Sequence, residues 1–254
     1  TKMKSVRKSC SMPLPIKPST AQVLIVGNSQ VGAMVASIRQ NKNIALFAAP
    51  GRRFTGIAVD QDGIISGAEF SLNCKEPCKV TDFARIFIYA DFPEPVGVVL
   101  ENTQPFSSGF LAAYYAAKFS QSEAIDLANQ LTKHCDPSVI SLIPRNLSVE
   151  EDAGGYPGID MAEAHAEVSA LAGYDIVQIK QGIYSDTHAP EQQYFKQSLR
   201  IDGSMVDPVE KPNHARRHVS AEAGVILYDN ILRNLGETHL QTNWLKRLWS
   251  KFKG

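Results

Sequence analysis

A chain of 254 residues with 44% apolar side chains has room for one α/β domain or two small ones, and its composition is ordinary for a globular protein. Lys plus Arg and Asp plus Glu both number 26, so the formal charge is zero. The charge is unevenly spread: residues 1–20 hold five basic residues and residues 241–254 four, with no acid in either. The body between carries 17 basic against 26 acidic residues, which excludes a general nucleic-acid binder.

Residues 1–20 contain Lys2, Lys4, Arg7, Lys8 and Lys17, three prolines and little periodicity. They predict a loose basic arm or partner-binding tail. No apolar core follows these charges, so the segment does not have the form of a secretory signal. No run approaches the ~18 apolar residues that span a bilayer. Four cysteines (Cys10, Cys74, Cys78, Cys135) are too few for a disulfide scaffold and read as reduced thiols of a cytoplasmic protein.

Five apolar runs predict buried parallel strands at residues 22–26, 43–48, 85–90, 138–143 and 175–180. The first ends in Gly27-Asn28-Ser29 and is followed by a helical pattern over 30–40. The second ends in Ala48-Ala49-Pro50-Gly51-Arg52. Between the second and third, residues 54–70 predict a β-hairpin turning at Asp62-Gly63. Helical spacing predicts helices over 109–133, 161–173 and 218–235. Alternating strands and helices predict an α/β fold with a doubly wound, five-stranded, mostly parallel sheet and a hairpin insertion after strand 2. Residues 21–240 read as one domain. Residues 190–217 form a polar stretch that delivers the chain to His218, and loops of that length are often part of a site.

A serine after a strand and before a helix lies at the carboxyl edge of the sheet, beside unpaired backbone N–H groups. Ser29 therefore reads either as an N-cap or as a nucleophile. A nucleophile requires a base, and His218 at the start of the last helix is the candidate, with His214 and His188 as rivals. The oxyanion of a tetrahedral intermediate requires donors. The Ser29 N–H, Asn28 and the backbone of Gly51 are candidates, and Arg52 beside Gly51 could hold an anionic group or be a solvated charge. Cys74, Cys78, His134 and Cys135 do not have zinc-site spacing, so no metal is expected. The sequence Gly-x-Gly-x-x-Gly is absent, so no dinucleotide cofactor is expected either.

The tail at 241–254 places Trp244, Leu245, Leu248, Trp249 and Phe252 on one helical face, flanked by Lys246, Arg247, Lys251 and Lys253. Such a helix either lies on a membrane surface, here the inner face of a cytoplasmic membrane, or docks on the body or on another subunit.

Strand-Gly27-Asn28-Ser29 resembles the first motif of the SGNH/GDSL hydrolase superfamily, and His218-x-Ser220-x-x-x-Gly224 resembles its last. The likeness covers residues 21–235 as architecture and two short motifs as sequence. It is nearest to the SGNH-like proteins of bacterial surface-glycan gene sets. The resemblance implies a flavodoxin-like sheet, Ser29 as nucleophile and His218 as general base. It also implies hydrolysis or transfer of an O-acyl group, often on a carbohydrate, without a cofactor. Two departures stand out. Ala215 occupies the place of the family's orienting acid, leaving Asp207, Asp202 or Asp186 to reach the imidazole, or a Ser–His dyad. Tyr89-Ala90-Asp91-Phe92 replaces the family's third motif, so Asn102 or Asn146 would have to supply the side-chain oxyanion donor. A non-catalytic glycan- or partner-binding protein on the same fold is the rival expectation.

Overall fold

The computed structural model describes residues 21–49, 54, 56–74, 77–91, 107–145, 161–177 and 220–237. Strands β1 (Val23–Gly27), β2 (Ile44–Ala48), β7 (Arg85–Asp91), β8 (Ile140–Arg145) and β9 (Asp175–Ile176) are the five predicted ones. They pair in parallel in the order β2-β1-β7-β8-β9. β1 and β2 are buried at every position, which is why they read as continuous apolar runs. A sixth strand, β5 (Phe70–Leu72), pairs antiparallel with the outer edge of β2.

The segment after β2 is more than the expected hairpin. β3 (Ala58–Val59), β4 (Ile64–Ser66) and β6 (Cys78–Lys79) form a separate three-stranded antiparallel sheet, and β5 leaves it to join the main one. The predicted turn is present. Asp60 Oδ1 accepts from the N–H groups of Asp62 and Ile64, both at 2.9 Å, and Gly63 takes φ +72°. The chain is thus a mixed α/β protein with a mostly parallel six-stranded sheet and a small antiparallel sheet.

Alternate side chains of the strands enter two apolar clusters, as the period of two requires. Leu24, Val26, Phe47, Ile88 and Leu142 pack with helices α2 (Ser108–Phe119), α3 (Glu123–Leu131) and α4 (Met161–Ala172), and with Ile65 and Cys78 of the small sheet. Val23, Ile25, Leu46, Phe87 and Tyr89 pack on the other face with a 3-10 turn (Ser29–Met34), α1 (Val35–Gln40) and α5 (Ala221–Glu237). The sheet therefore lies between two helical layers.

Three expectations are corrected. The single helix expected at 109–133 is two helices broken at Ser120-Gln121-Ser122. Ser122 has extended backbone at the start of α3, with Glu123 and Asp126 in the first turn, where carboxylates favour a new N-terminus. The helix expected from residue 30 begins instead as the 3-10 turn. Cys74 and Cys78 are joined as a disulfide, and Cys135 is the free cysteine among the described residues. That pairing overturns the expectation of four reduced thiols.

Asn73, next to the disulfide, sits at φ +59°. Its Nδ2 donates to the carbonyls of Ile38, Asn41 and Ile44 at 2.8–3.0 Å, clamping the turn between α1 and β2. No described helix is long and apolar enough to cross a membrane. The expected arm at 1–20 and the tail with Trp244, Leu248, Trp249 and Phe252 lie outside the described residues.

Candidate functional site

Strand order reverses at β1: β2 lies on one side of it and β7 on the other. In open α/β sheets the crevice outside the carboxyl ends at such a reversal is where ligands bind. β1 and β7 run in register to Gly27 opposite Tyr89. Ser29 follows two residues later.

The turn carrying Ser29 is held close to the sheet. A Cβ on Gly27 would collide with the Val31 side chain and lie 3.5 Å from Tyr89 Cβ. Glycine at that position lets the 3-10 turn fold back over the strand end. Asn28 has extended backbone, is fully buried, and its Oδ1 accepts from Gln30 N at 3.0 Å. Its carbonyl accepts from Val31 N at 3.2 Å. Asn28, not Ser29, is therefore the N-cap of the turn. Ser29 itself is half-buried.

The second strand end reaches the same place. Ala49 N donates to Gly27 O at 2.9 Å. Gly51 and Arg52 follow outside the described residues. The chain is fixed again at buried Phe54, whose N–H donates to Glu123 Oε2 at 2.9 Å at the start of α3.

The far wall is α5. Gly224 lies directly against the backbone of Ala33: a Cβ on it would overlap the Ala33 carbonyl and stand 2.9 Å from Ala33 Cβ. Gly224 N donates to Ser220 O at 3.0 Å, so buried Ser220 opens α5 beside the Ser29 turn. His218 precedes Ser220 by two residues and lies outside the described residues. So do Asp207, Ala215, His214, His188, Asp202, Asp186, Asn102 and Asn146.

Three residues of the site carried no functional expectation in the sequence. Tyr89 is fully buried, opposite Gly27. Gly224, quoted only as a motif position, is a backbone contact point. Gln30 is buried to 2% exposure, and its Oε1 has no hydrogen-bond partner among the described residues. In the sequence Gln30 closes the polar triplet Asn28-Ser29-Gln30 ahead of the apolar run Val31-Gly32-Ala33-Met34-Val35, and nothing local marks it as buried.

Among the described residues, perturbed ionisation lies away from Ser29. Burial raises Tyr228, although its hydroxyl accepts from Asn41 Nδ2 at 2.9 Å. Burial also raises Asp229, against the opposing pull of Arg233, and burial followed by Asp136 raises the Cys135 thiol. Among the described residues no group of three or more His, Cys, Asp or Glu side chains is placed to hold a metal ion. No family model, curated protein or solved structure matches the chain.

Proposed function

We propose that the protein is a serine esterase or O-acyltransferase of the SGNH type, acting on an O-acylated substrate, in our reading a carbohydrate. The observation that carries the proposal is the placement of Ser29 at the sheet's reversal point, with Asn28 taking over the capping role a serine there would otherwise fill. The parallel strand order, second-first-third-fourth-fifth in sequence, supports the flavodoxin-like arrangement that the resemblance implies. The contact of Gly224 with Ala33 supports His218 as the base, because it holds the start of α5 beside the turn.

In this mechanism Ser29 Oγ attacks the ester carbonyl while an imidazole takes its proton. The acyl group remains on Ser29 as the alcohol leaves with that proton, and water or a second hydroxyl then accepts it. Gln30 N and Val31 N are already bonded inside the turn. The oxyanion donors in this reading are the sequence's candidates, the Ser29 N–H and the segment containing Gly51.

A fluorophosphonate probe followed by peptide mass spectrometry tests this. Ser29 should be labelled, Ser29→Ala should not, and His218→Ala should slow labelling by roughly 10²-fold or more. Labelling confined to another residue, or a His218→Ala rate equal to wild type, rejects the proposal in favour of a non-catalytic binding protein.

A further inference from the structure

We infer that Gln30 contacts the substrate at the Ser29 site, and that the substrate presents a hydroxyl or amide N–H to its side-chain oxygen. The inference rests on the esterase reading above and deepens it by naming the chemistry beside the ester. Gln30 directly follows Ser29, is buried to 2% exposure, and its Oε1 meets no hydrogen-bond donor among the described residues. Native interiors rarely leave such an acceptor unmatched, because the desolvation is uncompensated. An apolar residue would fill the same volume without that penalty, and the residues after it, Val31, Ala33, Met34 and Val35, are apolar and buried.

The position of Gln30 on the turn is defined. A 3-10 turn has three residues per revolution, so residues 30 and 33 lie one above the other. Ala33 meets Gly224 of α5. Gln30 is therefore one revolution nearer the strand end on the side of the turn facing α5, next to the nucleophile. On the described elements beside the turn, Glu222 at the start of α5 is exposed and Tyr89 on β7 is buried, while Tyr228, Asp229 and Arg233 lie further along α5. An unmatched amide oxygen calls for a hydroxyl or N–H donor, and a polyol supplies the former. A site built to receive a substrate hydroxyl rejects the analogue lacking it, because its buried group is then left unpaired.

The test uses two small esters that differ only in that donor, 2-hydroxyethyl acetate and 2-methoxyethyl acetate, with wild type and Gln30→Met, a substitution of similar length and volume. Wild type should favour the hydroxyl ester by at least about tenfold in kcat/KM. Gln30→Met should lose that preference through a fall on the hydroxyl ester alone, keep fluorophosphonate labelling of Ser29, and melt at a higher temperature than wild type. A labelled wild type that hydrolyses both esters equally, or neither, overturns the inference. So does a Gln30→Met protein that keeps the preference or melts lower, which would make Gln30 structural. Absence of Ser29 labelling in wild type would remove the esterase reading itself, and this inference with it.

Discussion

Gly224→Ala is the most demanding test of how the site is built. Glycine inside a helix ordinarily costs stability, so replacement by alanine should gain up to about 1 kcal/mol. In α5 the added methyl would fall on the carbonyl carbon and oxygen of Ala33. Those are backbone atoms and cannot rotate away. The helix and the turn must separate by about 1.5 Å to restore the ~3.5 Å of ordinary contact. Overpacking of this kind costs about 1–3 kcal/mol, so the net effect is a loss of up to about 2 kcal/mol after the propensity gain. For a chain of this size that lowers the melting temperature by up to about 8 °C. Gly109→Ala is the matched control. It too lies within a helix, α2, but its Cβ would meet only the flexible Glu163 Oε1, at 3.2 Å. That variant should be neutral or slightly stabilised. The two are compared by thermal and urea unfolding, and by the rate at which fluorophosphonate labels Ser29. A displacement of ~1 Å or more between base and nucleophile should slow labelling about 10²-fold in Gly224→Ala and leave Gly109→Ala unchanged. Equal stability of the two variants would refute the close packing of α5 on the turn. The expected stability loss in Gly224→Ala with unchanged labelling would separate α5 from the chemistry.

Three further outcomes follow from local contacts. Asn73→Ala removes three hydrogen bonds to backbone carbonyls and leaves a β-carbon at φ +59° without the amide that holds it there. Urea unfolding should show a loss of about 2 kcal/mol, and a loss under 0.5 kcal/mol would refute the clamp. Asp229 has a carboxyl raised by burial, so the folded state binds its proton more tightly than the unfolded chain. Its contribution is greatest below the ordinary carboxylate range and is lost as pH rises through the raised value. Asp229→Asn should therefore raise the urea midpoint slightly at pH 7 and not at pH 3; the reverse order would refute the direction of the shift. Reducing Cys74–Cys78, a closed loop with sequence separation 4, should cost about 2 kcal/mol in loop entropy. A melting temperature indifferent to dithiothreitol, with the reduction verified by thiol titration, would show that the bond contributes nothing.

The main sheet was legible because strands buried on both faces read as unbroken apolar runs, and β1 and β2 have no exposed position. The Asp62-Gly63 turn was legible because the demand for positive φ is written in the glycine. What escaped was non-local or lacked a local signal. Nothing in Phe70-Ser71-Leu72 says that it pairs with β2 rather than within its own insertion. The break at Ser120-Gln121-Ser122 contains no glycine or proline, and the helical spacing continues across it. The spacing of Cys74 and Cys78 does not distinguish a disulfide from two thiols. At the site, Gly-Asn-Ser announced a special turn, but Asn28's part as its cap depends on backbone geometry that composition does not encode.

The architecture around Ser29 bears on how such a turn does chemistry. Three constraints converge on it: Gly27 permits the fold-back, Asn28 closes the first turn from within, and Gly224 lets a helix lie directly on the Ala33 backbone. None of the three needs to touch a substrate, yet each removes a way for the serine to move. Preorganisation of this kind works best where the supporting residues are themselves locked by packing. The same tightness has a consequence for charge stabilisation. A loose α-helical start would leave several N–H donors open, whereas this turn engages Gln30 N and Val31 N internally. The neighbouring strand end is tied down in the same way, through Ala49 N to Gly27 O and Phe54 N to Glu123 Oε2.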